Sequence, residues 1–275
     1  MGNDLLSNMA LTIDYDDITT WAPEFTTALQ PYIPKFIKTT LRSAIPECLE
    51  DAMDILFRVA DREEIIDATI KWISAGTIVA YHGSRLTLAD RVSVQREGLR
   101  PLTASDRHKI IIEKLSPHTR WNEVSHRLDS IIDSFGPRMK IGRREGQVHA
   151  TLSKSGLMNS FNHYLSYGSE FDQRVAIELL GIEGKELLSL YGERTLIQLV
   201  FPGNVALQAV HPHFSIDDLR DRGDIPNMVS QFIGAWSYRL AHDDFDPTDL
   251  MEDCGMIFYS QVPSCWIADI EVLGV

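Results

Sequence analysis

The sequence predicts an α+β fold, with helices over the first 76 residues and short strands spread over the remainder. Three observations favour it. Apolar residues recur every three or four positions before residue 76, short β-branched or aromatic runs follow, and helical segments of unequal length separate those runs. Unequal spacing favours segregated helices and strands over a regular βαβ series. We therefore expect a helical N-terminal region over residues 1–76 and a second domain over residues 77–275.

The clearest helical pattern lies between Pro46 and Gly76. Its apolar positions, which would form one buried face, are Ala52, Ile55, Leu56, Val59, Ile65, Ile66, Ile70 and Ile73. Gly76 stands directly after the pattern, where a helix C-cap is expected. The run TIVAY at residues 77–81 is β-branched and aromatic, which predicts a strand.

The later elements are predicted by the same two patterns. Helices are expected over residues 86–97, 156–180 and 226–240, and the first two end at Gly98 and Gly181. The predicted strands are QVHATLS (147–153), TLIQLVF (195–201), VALQAVH (205–211), MIFYS (256–260) and CWIADIEVL (265–273).

The chain carries a formal net charge of −13 and has a sequence pI near 5.1. Non-specific binding to a phosphate backbone requires a large positive surface. The composition therefore argues against a general nucleic-acid binder, although a local basic groove or a single target base stays open. The basic cluster Arg138, Lys140, Arg143 and Arg144 is either a solvated turn or the receiver of a phosphate.

The three cysteines are scattered along the chain, which is typical of reduced thiols in a cytoplasmic protein. No segment approaches the roughly 20 apolar residues that cross a bilayer, so no membrane partner is expected. His211 and His213 flank Pro212 without a third ligand, and we expect them to complete a turn rather than to bind a metal.

The segment YHGSRLT, which begins at Tyr81, leads through a helical stretch to Gly98-Leu99-Arg100. It resembles the first strand and following helix of the ADP-ribosyltransferase superfamily, closest to the poly(ADP-ribose) polymerase and diphtheria-toxin branch. The matching residues are His82, Gly83, Ser84 and Arg85. A lone His-Gly pair is more often an ordinary strand end, and the Gly-Leu-Arg turn at the matching distance adds weight to the resemblance.

Two further segments are similar to that superfamily and follow in the same order. In EGQVHATLSKSG, residues Gly146, Ala150 and Ser153 match a short strand and a turn that leads into a helix. The segment GMIFYSQVPSCWIADIEVL resembles the closing pair of strands, joined through a Val-Pro turn. The resemblance covers residues 79–275 and implies an ADP-ribosyltransferase-like core of two small packed, mostly antiparallel sheets.

The resemblance implies a mono-ADP-ribosyltransferase with NAD as its substrate. Its transition state has oxocarbenium character, so the site must hold the nicotinamide and stabilise positive charge. His82 is expected to bind a ribose hydroxyl and the Gly83 backbone to bind the nicotinamide amide. Ser84 and Arg85 would extend the contacts toward the ribose and pyrophosphate, and Ser153 would add to the cofactor site.

The aromatic ring that stacks on the nicotinamide is expected from Tyr164 or Tyr167, since Val148 and His149 stand where the superfamily has a strand tyrosine. Tyr167 is the choice, because the adjacent Gly168 permits a ligand to approach. The alternative is that both tyrosines belong to the core.

The catalytic acid departs from the pattern, since Gly255 stands where the superfamily's glutamate begins the penultimate strand. The candidates are Glu252 and Asp253, which could equally form a solvated loop, and Glu170. A displaced or missing glutamate favours single transfer or NAD hydrolysis over polymer growth.

The expected partners are NAD and a macromolecular acceptor, either protein or nucleic acid. By analogy at the level of the fold, a toxin-type effector with a neutralising antitoxin partner is also expected. Three alternatives stay open: a non-catalytic NAD- or ADP-ribose-binding module, an acidic partner-binding protein, and an RNA 2′-phosphotransferase-like enzyme.

Overall fold

The computed structural model describes residues 11–134, 146–160, 162–250 and 254–274. The α+β class is confirmed. The helices are α1 Ile18–Leu29, α2 Ile37–Ala44, α3 Leu49–Val59, α4 Arg62–Ala75, α5 Leu88–Glu97, α6 Ala104–Leu115, α7 Trp121–Val124, α8 Leu128–Ser134, α9 Lys154–Asn159, α10 His163–Tyr167, α11 Glu170–Leu180, α12 Ile182–Ser189, α13 Gly203–Val210, α14 Ile216–Asp221 and α15 Asn227–Ala241. The strands are β1 Thr12–Ile13, β2 Thr77–Leu86, β3 Val148–Thr151, β4 Glu193–Pro202, β5 Gly255–Phe258 and β6 Ile267–Val272.

The strands form one six-stranded sheet in the order β5-β3-β2-β4-β6, and the short β1 pairs with β2. The pairs β2–β3, β3–β5 and β4–β6 are antiparallel, whereas β1–β2 is parallel. The prediction of two packed sheets is not confirmed. Strand β2 lies between β3 and β4, and this central position joins all the described strands in a single sheet.

The chain forms two compact units. One contains the chain up to residue 79 together with residues 200–250, and the other contains residues 80–199 and the chain from residue 251. Both changes of unit fall within strands, in β2 and β4. The division into domains that was predicted from the sequence, residues 1–76 and 77–275, stays a prediction.

An aromatic cluster forms the centre of the first unit. The Trp21 ring lies edge-on to Phe232 at a centroid distance of 5.0 Å, and Phe25 lies 4.7 Å from Trp72. Trp21, Phe25 and Phe232 are fully buried. Such pairs contribute about 0.5–1.5 kcal/mol each beyond the burial of their area. They join α1 and α4 near the start of the chain to α15.

The helical pattern before residue 76 is confirmed as two helices, α3 and α4, but Val59, which was expected on the buried face, is exposed at the end of α3. Asp61 causes the break, because its carboxylate accepts hydrogen bonds from the N–H groups of Glu63 (2.9 Å) and Glu64 (3.1 Å) and so caps α4. Gly76 is the C-cap of α4, as predicted. A Cβ atom there would lie 2.8 Å from Cδ1 of Ile13, so Gly76 packs closely against β1 and a side chain would displace the Ile13 methyl group.

Two later predictions are wrong. Residues 205–211 were expected to form a strand, but they lie mostly in α13, and a short apolar run of this length suits either element. The single helix expected over 156–180 is divided into α9, α10 and α11. Gly168 has a φ of +79° and ends α10, and the Ser169 hydroxyl then caps α11. The strands predicted at 195–201, 256–260 and 265–273 are confirmed within β4, β5 and β6.

The second unit contains a helical core formed by α6, α8, α11 and α12. Its central buried side chains are Ile111, Leu115, Leu128, Ile132, Phe171, Val175, Leu179 and Leu188. None of the helices in the described ranges is both long and apolar enough to cross a membrane.

Candidate functional site

The three segments that resemble the ADP-ribosyltransferase superfamily meet in the second unit. Thr151 in β3 pairs with Tyr81 in β2 on one side and with Gly255 in β5 on the other. The Leu99 N–H donates to the carbonyl oxygen of Val262, and the Val262 N–H donates to that of Leu99, both at 2.9 Å. Segments that are more than 100 residues apart in the sequence are therefore hydrogen-bonded neighbours.

The close approach of these two turns requires the glycine at position 98. Gly98 has a φ of +86°, and a Cβ atom built there would collide with the carbonyl oxygen of Val262. The backbone of the downstream turn therefore approaches the Val-Pro turn more closely than any side chain permits.

His82 is half-buried in β2, one residue beyond the Tyr81–Thr151 pair. Its Nδ1 atom lies 2.6 Å from the carbonyl oxygen of His149 in β3. Burial lowers the pKa of His82 from its ordinary value of 6.5, and the carbonyl of His149 opposes that shift in part. The imidazole is therefore neutral at pH 7.

The bond to His149 determines the tautomer of His82. A carbonyl oxygen can only accept, so Nδ1 carries the proton and donates it. The Nε2 atom of the neutral ring then has a free lone pair and accepts hydrogen bonds. No residue in the described part of the chain bonds to that atom. Nε2 can therefore accept a hydrogen bond from a hydroxyl group.

Gly83 follows on β2, and its α-carbon faces two leucines. A Cβ atom there would lie 3.2 Å from methyl groups of Leu157 in α9 and Leu165 in α10. The missing side chain thus allows two helices to pack against β2, which differs from the expected role of admitting a ligand at that face. The close contact also places α10, which carries both candidate tyrosines, against the strand of His82.

Arg85 holds the turn that precedes β4. Its Nε donates to the carbonyl oxygen of Tyr191 (3.0 Å) and its Nη2 to that of Gly192 (2.6 Å). Burial, followed by the positive charge of Arg194, lowers the pKa of the guanidinium from its ordinary value. Ser84 is half-buried on the same strand.

Ser153 is buried, and its hydroxyl accepts a hydrogen bond from the N–H of Gly156 at 2.9 Å. It is the N-cap of α9. This geometry makes Ser153 a capping residue of the helix that packs on Gly83, with almost no surface open to a ligand.

Tyr164 is linked to a carboxylate. Its hydroxyl donates to Oε1 of Glu170 at 2.8 Å, and Nε2 of His163 lies 3.4 Å from the same oxygen. The rings of His163 and Tyr164 are 4.1 Å apart. All three side chains are half-buried, and they combine an aromatic face with a carboxylate.

Tyr167 contacts a different set of residues. Its hydroxyl donates to Oε1 of Glu186 (3.3 Å), Nζ of Lys185 lies 4.3 Å from its ring centroid, and the ring packs on the helical core. Burial and then the charge of Glu186 raise its pKa. Tyr164 is therefore the candidate tyrosine whose hydroxyl bonds to Glu170, and the choice of Tyr167 as a stacking ring stays a prediction.

Gly255 is the first residue of β5, where the superfamily's glutamate was expected. The two nearest candidate acids, Glu252 and Asp253, lie outside the described residues, as does the basic cluster Arg138, Lys140, Arg143 and Arg144. Glu170 is the candidate acid that the structure describes.

Sequence reasoning missed two features of the site. One is the contact of Glu170 with the Tyr164 hydroxyl, which forms because the helix expected over 156–180 is interrupted at Gly168. The φ-permissive Gly168 followed by the cap residue Ser169 was the available signal. The bond from His82 to the His149 carbonyl carried no sequence signal, because a backbone oxygen is present at every residue.

No group of three or more histidine, cysteine or acidic residues within the described ranges is arranged to hold a metal ion. Nε2 of His211 accepts a hydrogen bond from the N–H of Asn227 at 2.9 Å.

Comparison of the chain with protein families, with curated proteins and with solved structures finds no match.

Proposed function

We propose that the chain is a mono-ADP-ribosyltransferase, which cleaves NAD and transfers ADP-ribose to a macromolecule. The observation that carries this proposal is the fixed tautomer of His82, whose Nε2 is left as an acceptor. The meeting of the three similar segments around β2, β3 and β5 supports the same reading.

In the proposed reaction the N-glycosidic bond breaks and nicotinamide leaves with the bonding electron pair. A nucleophile of the acceptor then bonds to the ribose carbon and loses its proton. His82 would orient the ribose through a hydroxyl that donates to Nε2, and the Tyr164 ring would stack on the nicotinamide. A carboxylate near the ribose would stabilise the developing positive charge.

Glu170 is the acid that the described geometry supports for this role. Its bond to the Tyr164 hydroxyl holds the carboxylate beside the proposed stacking ring. Glu252 and Asp253 are the other proposed acids, and replacing each in turn by its amide distinguishes the three. The variant that loses nicotinamide release while still binding NAD identifies the catalytic group.

The test is incubation of the purified chain with labelled NAD and a crude cell extract, with nicotinamide release measured in parallel. We expect the His82→Ala variant to lose at least about 100-fold in rate, because a positioning contact is removed. The His108→Ala variant is the matched control, since His108 lies on α6 and bonds to the exposed Asp129. Equal rates in wild type and His82→Ala would contradict the proposal.

We propose that the acceptor is protein or nucleic acid. Recovery of the label in one or the other identifies which. Toxicity on expression in cells that His82→Ala relieves would support a toxin-type effector, for which a neutralising partner is proposed.

A second candidate function is a non-catalytic NAD- or ADP-ribose-binding module. The glycine at position 255, at the start of β5, favours it. Calorimetric binding of NAD without any release of nicotinamide would select this function over the first.

A further inference from the structure

The turn that leads into β4 packs tightly against the end of β2. Gly192 has a φ of +68°, and a Cβ atom there would lie 2.7 Å from the carbonyl carbon of Leu86. Arg85 adds two hydrogen bonds to the same turn, at the carbonyls of Tyr191 and Gly192. These two bonds fix the orientation of the Arg85 guanidinium at residues 191 and 192, shortly before Arg194 in the chain.

Three arginines gather at this turn, and they differ in their partners. Arg91 donates from Nη1 to Oε2 of Glu193 at 2.7 Å and to the carbonyl oxygen of Leu86 at 3.1 Å. Arg85 and Arg194 form no ion pair with any residue in the described part of the chain. The Nε atom of Arg194 is buried there without a hydrogen-bond partner.

The nearby carboxylates are already committed. Glu193 pairs with Arg91, and Asp90 accepts hydrogen bonds from the N–H and the hydroxyl of Thr87. The charged group that acts on Arg85 is Arg194, which repels it. Both guanidiniums are half-buried and neither forms an ion pair with a described residue, although the net charge of the chain is −13.

We propose that Arg85 and Arg194 together form a binding site for a phosphoryl group. A guanidinium matches phosphate oxygens with a planar fork of N–H donors, and a dianion between two guanidiniums would remove their repulsion. Arg85 is preorganised by its two carbonyl partners and keeps its Nη1 donors. The proposal deepens the proposed function and rests on it where the ligand is NAD, because the resemblance already implies a contact of Arg85 with the pyrophosphate; the structure adds Arg194 as a second guanidinium.

Calorimetric titration of the full chain at low salt, with inorganic phosphate and separately with ADP-ribose, tests the site. We expect Arg194→Gln to weaken binding by at least about tenfold, Arg194→Lys to weaken it less, and Arg91→Gln to leave it nearly unchanged. Thermal unfolding without ligand checks that each variant is folded. If Arg194→Gln does not fold, the affinity of Arg194→Lys is used to test the site instead.

Three results would overturn the site. These are wild-type binding of neither probe at millimolar concentration, equal affinity in wild type and both Arg194 variants, and an equal loss in Arg91→Gln. If the Arg194 variants bind both probes more weakly than wild type, the site is assigned to a pyrophosphate. If they bind only inorganic phosphate more weakly, it is assigned to a free phosphate. Nicotinamide release is a separate measurement, so the proposed function can fail while this site stands.

Discussion

The imidazole of His82 in β2 bonds through Nδ1 to the carbonyl oxygen of His149 in β3, at 2.6 Å. A side chain of one strand is thus held by the backbone of its neighbour. The contact immobilises the ring, determines its tautomer and directs Nε2 away from the sheet partner. A free histidine at a strand end would have none of these properties.

Replacing His82 by Gln should remove a pH dependence of stability. The folded-state pKa of His82 is lowered below 6.5, so below that pH the unfolded chain binds more protons than the folded one. The neutral, half-buried ring therefore makes its full contribution above pH 6.5, and that contribution is lost as the pH falls through the folded-state pKa. The measurement is chemical denaturation from pH 7.5 to 5.

The difference in free energy of unfolding between wild type and His82→Gln should shrink with acidification. A constant difference over that range would show that burial does not hold the ring neutral. Nicotinamide release, if it depends on neutral His82, should decline over the same interval.

Asp172 should be among the most sensitive positions of the second unit. It is fully buried, accepts from Nε of Arg107 at 2.8 Å and also from its Nη2, and lies 3.1 Å from Nζ of Lys114. Burial raises its pKa, but the two cations outweigh burial and hold the pKa at about 2. Asp172→Asn leaves buried cations without their partner, and we expect a loss of about 3–5 kcal/mol.

Urea denaturation at pH 7 measures that loss, and Asp129→Asn is the control, because Asp129 is exposed and bonds only to His108 within the described ranges. We expect the control to change stability by less than about 1 kcal/mol. The contribution of Asp172 is present above pH 3.8 and is lost as the pH falls toward 2. Equal losses in the two variants would argue against the buried ion pair.

Gly98→Ala should destabilise the protein far more than Gly146→Ala. Both glycines have positive φ, 86° and 76°, which costs an L-residue about 1–2 kcal/mol. At Gly98 the new methyl group also collides with the Val262 carbonyl, whereas no atom of the described residues lies within 4 Å at Gly146. Thermal unfolding of the two variants gives the comparison, and similar midpoints would mean that the Leu99–Val262 bridge yields without cost.

Substitutions of the two candidate tyrosines should have different effects, one on the KM for NAD and the other on stability. Tyr164→Leu removes the ring beside Glu170, and we expect about a tenfold rise in the KM for NAD, worth about 1.4 kcal/mol of stacking. Tyr167→Leu removes a ring packed on the helical core, and we expect a loss of about 1–3 kcal/mol in stability with little effect on KM. The reverse outcome would return Tyr167 to the site.

Much of the local structure could be predicted from the sequence. The buried face of α4, its end at Gly76 and the strand at residues 77–81 follow from periodicity and capping. The errors lie where local patterns are ambiguous, as in the apolar run that forms α13 instead of a strand. The helix expected over 156–180 is interrupted at Gly168, where a glycine followed by the cap residue Ser169 was the signal that the long apolar pattern concealed.

By itself, the sequence determined the α+β class and most of the strands, and it identified the segment from His82 to Arg85 as a candidate site. These features depend on the pattern of side chains along a local segment. Only the tertiary structure decided which carbonyl holds His82, which tyrosine meets Glu170 and which arginines form no ion pair with the described residues. Those relationships join residues distant in the chain, and their energies depend on burial and direction, which no local pattern contains.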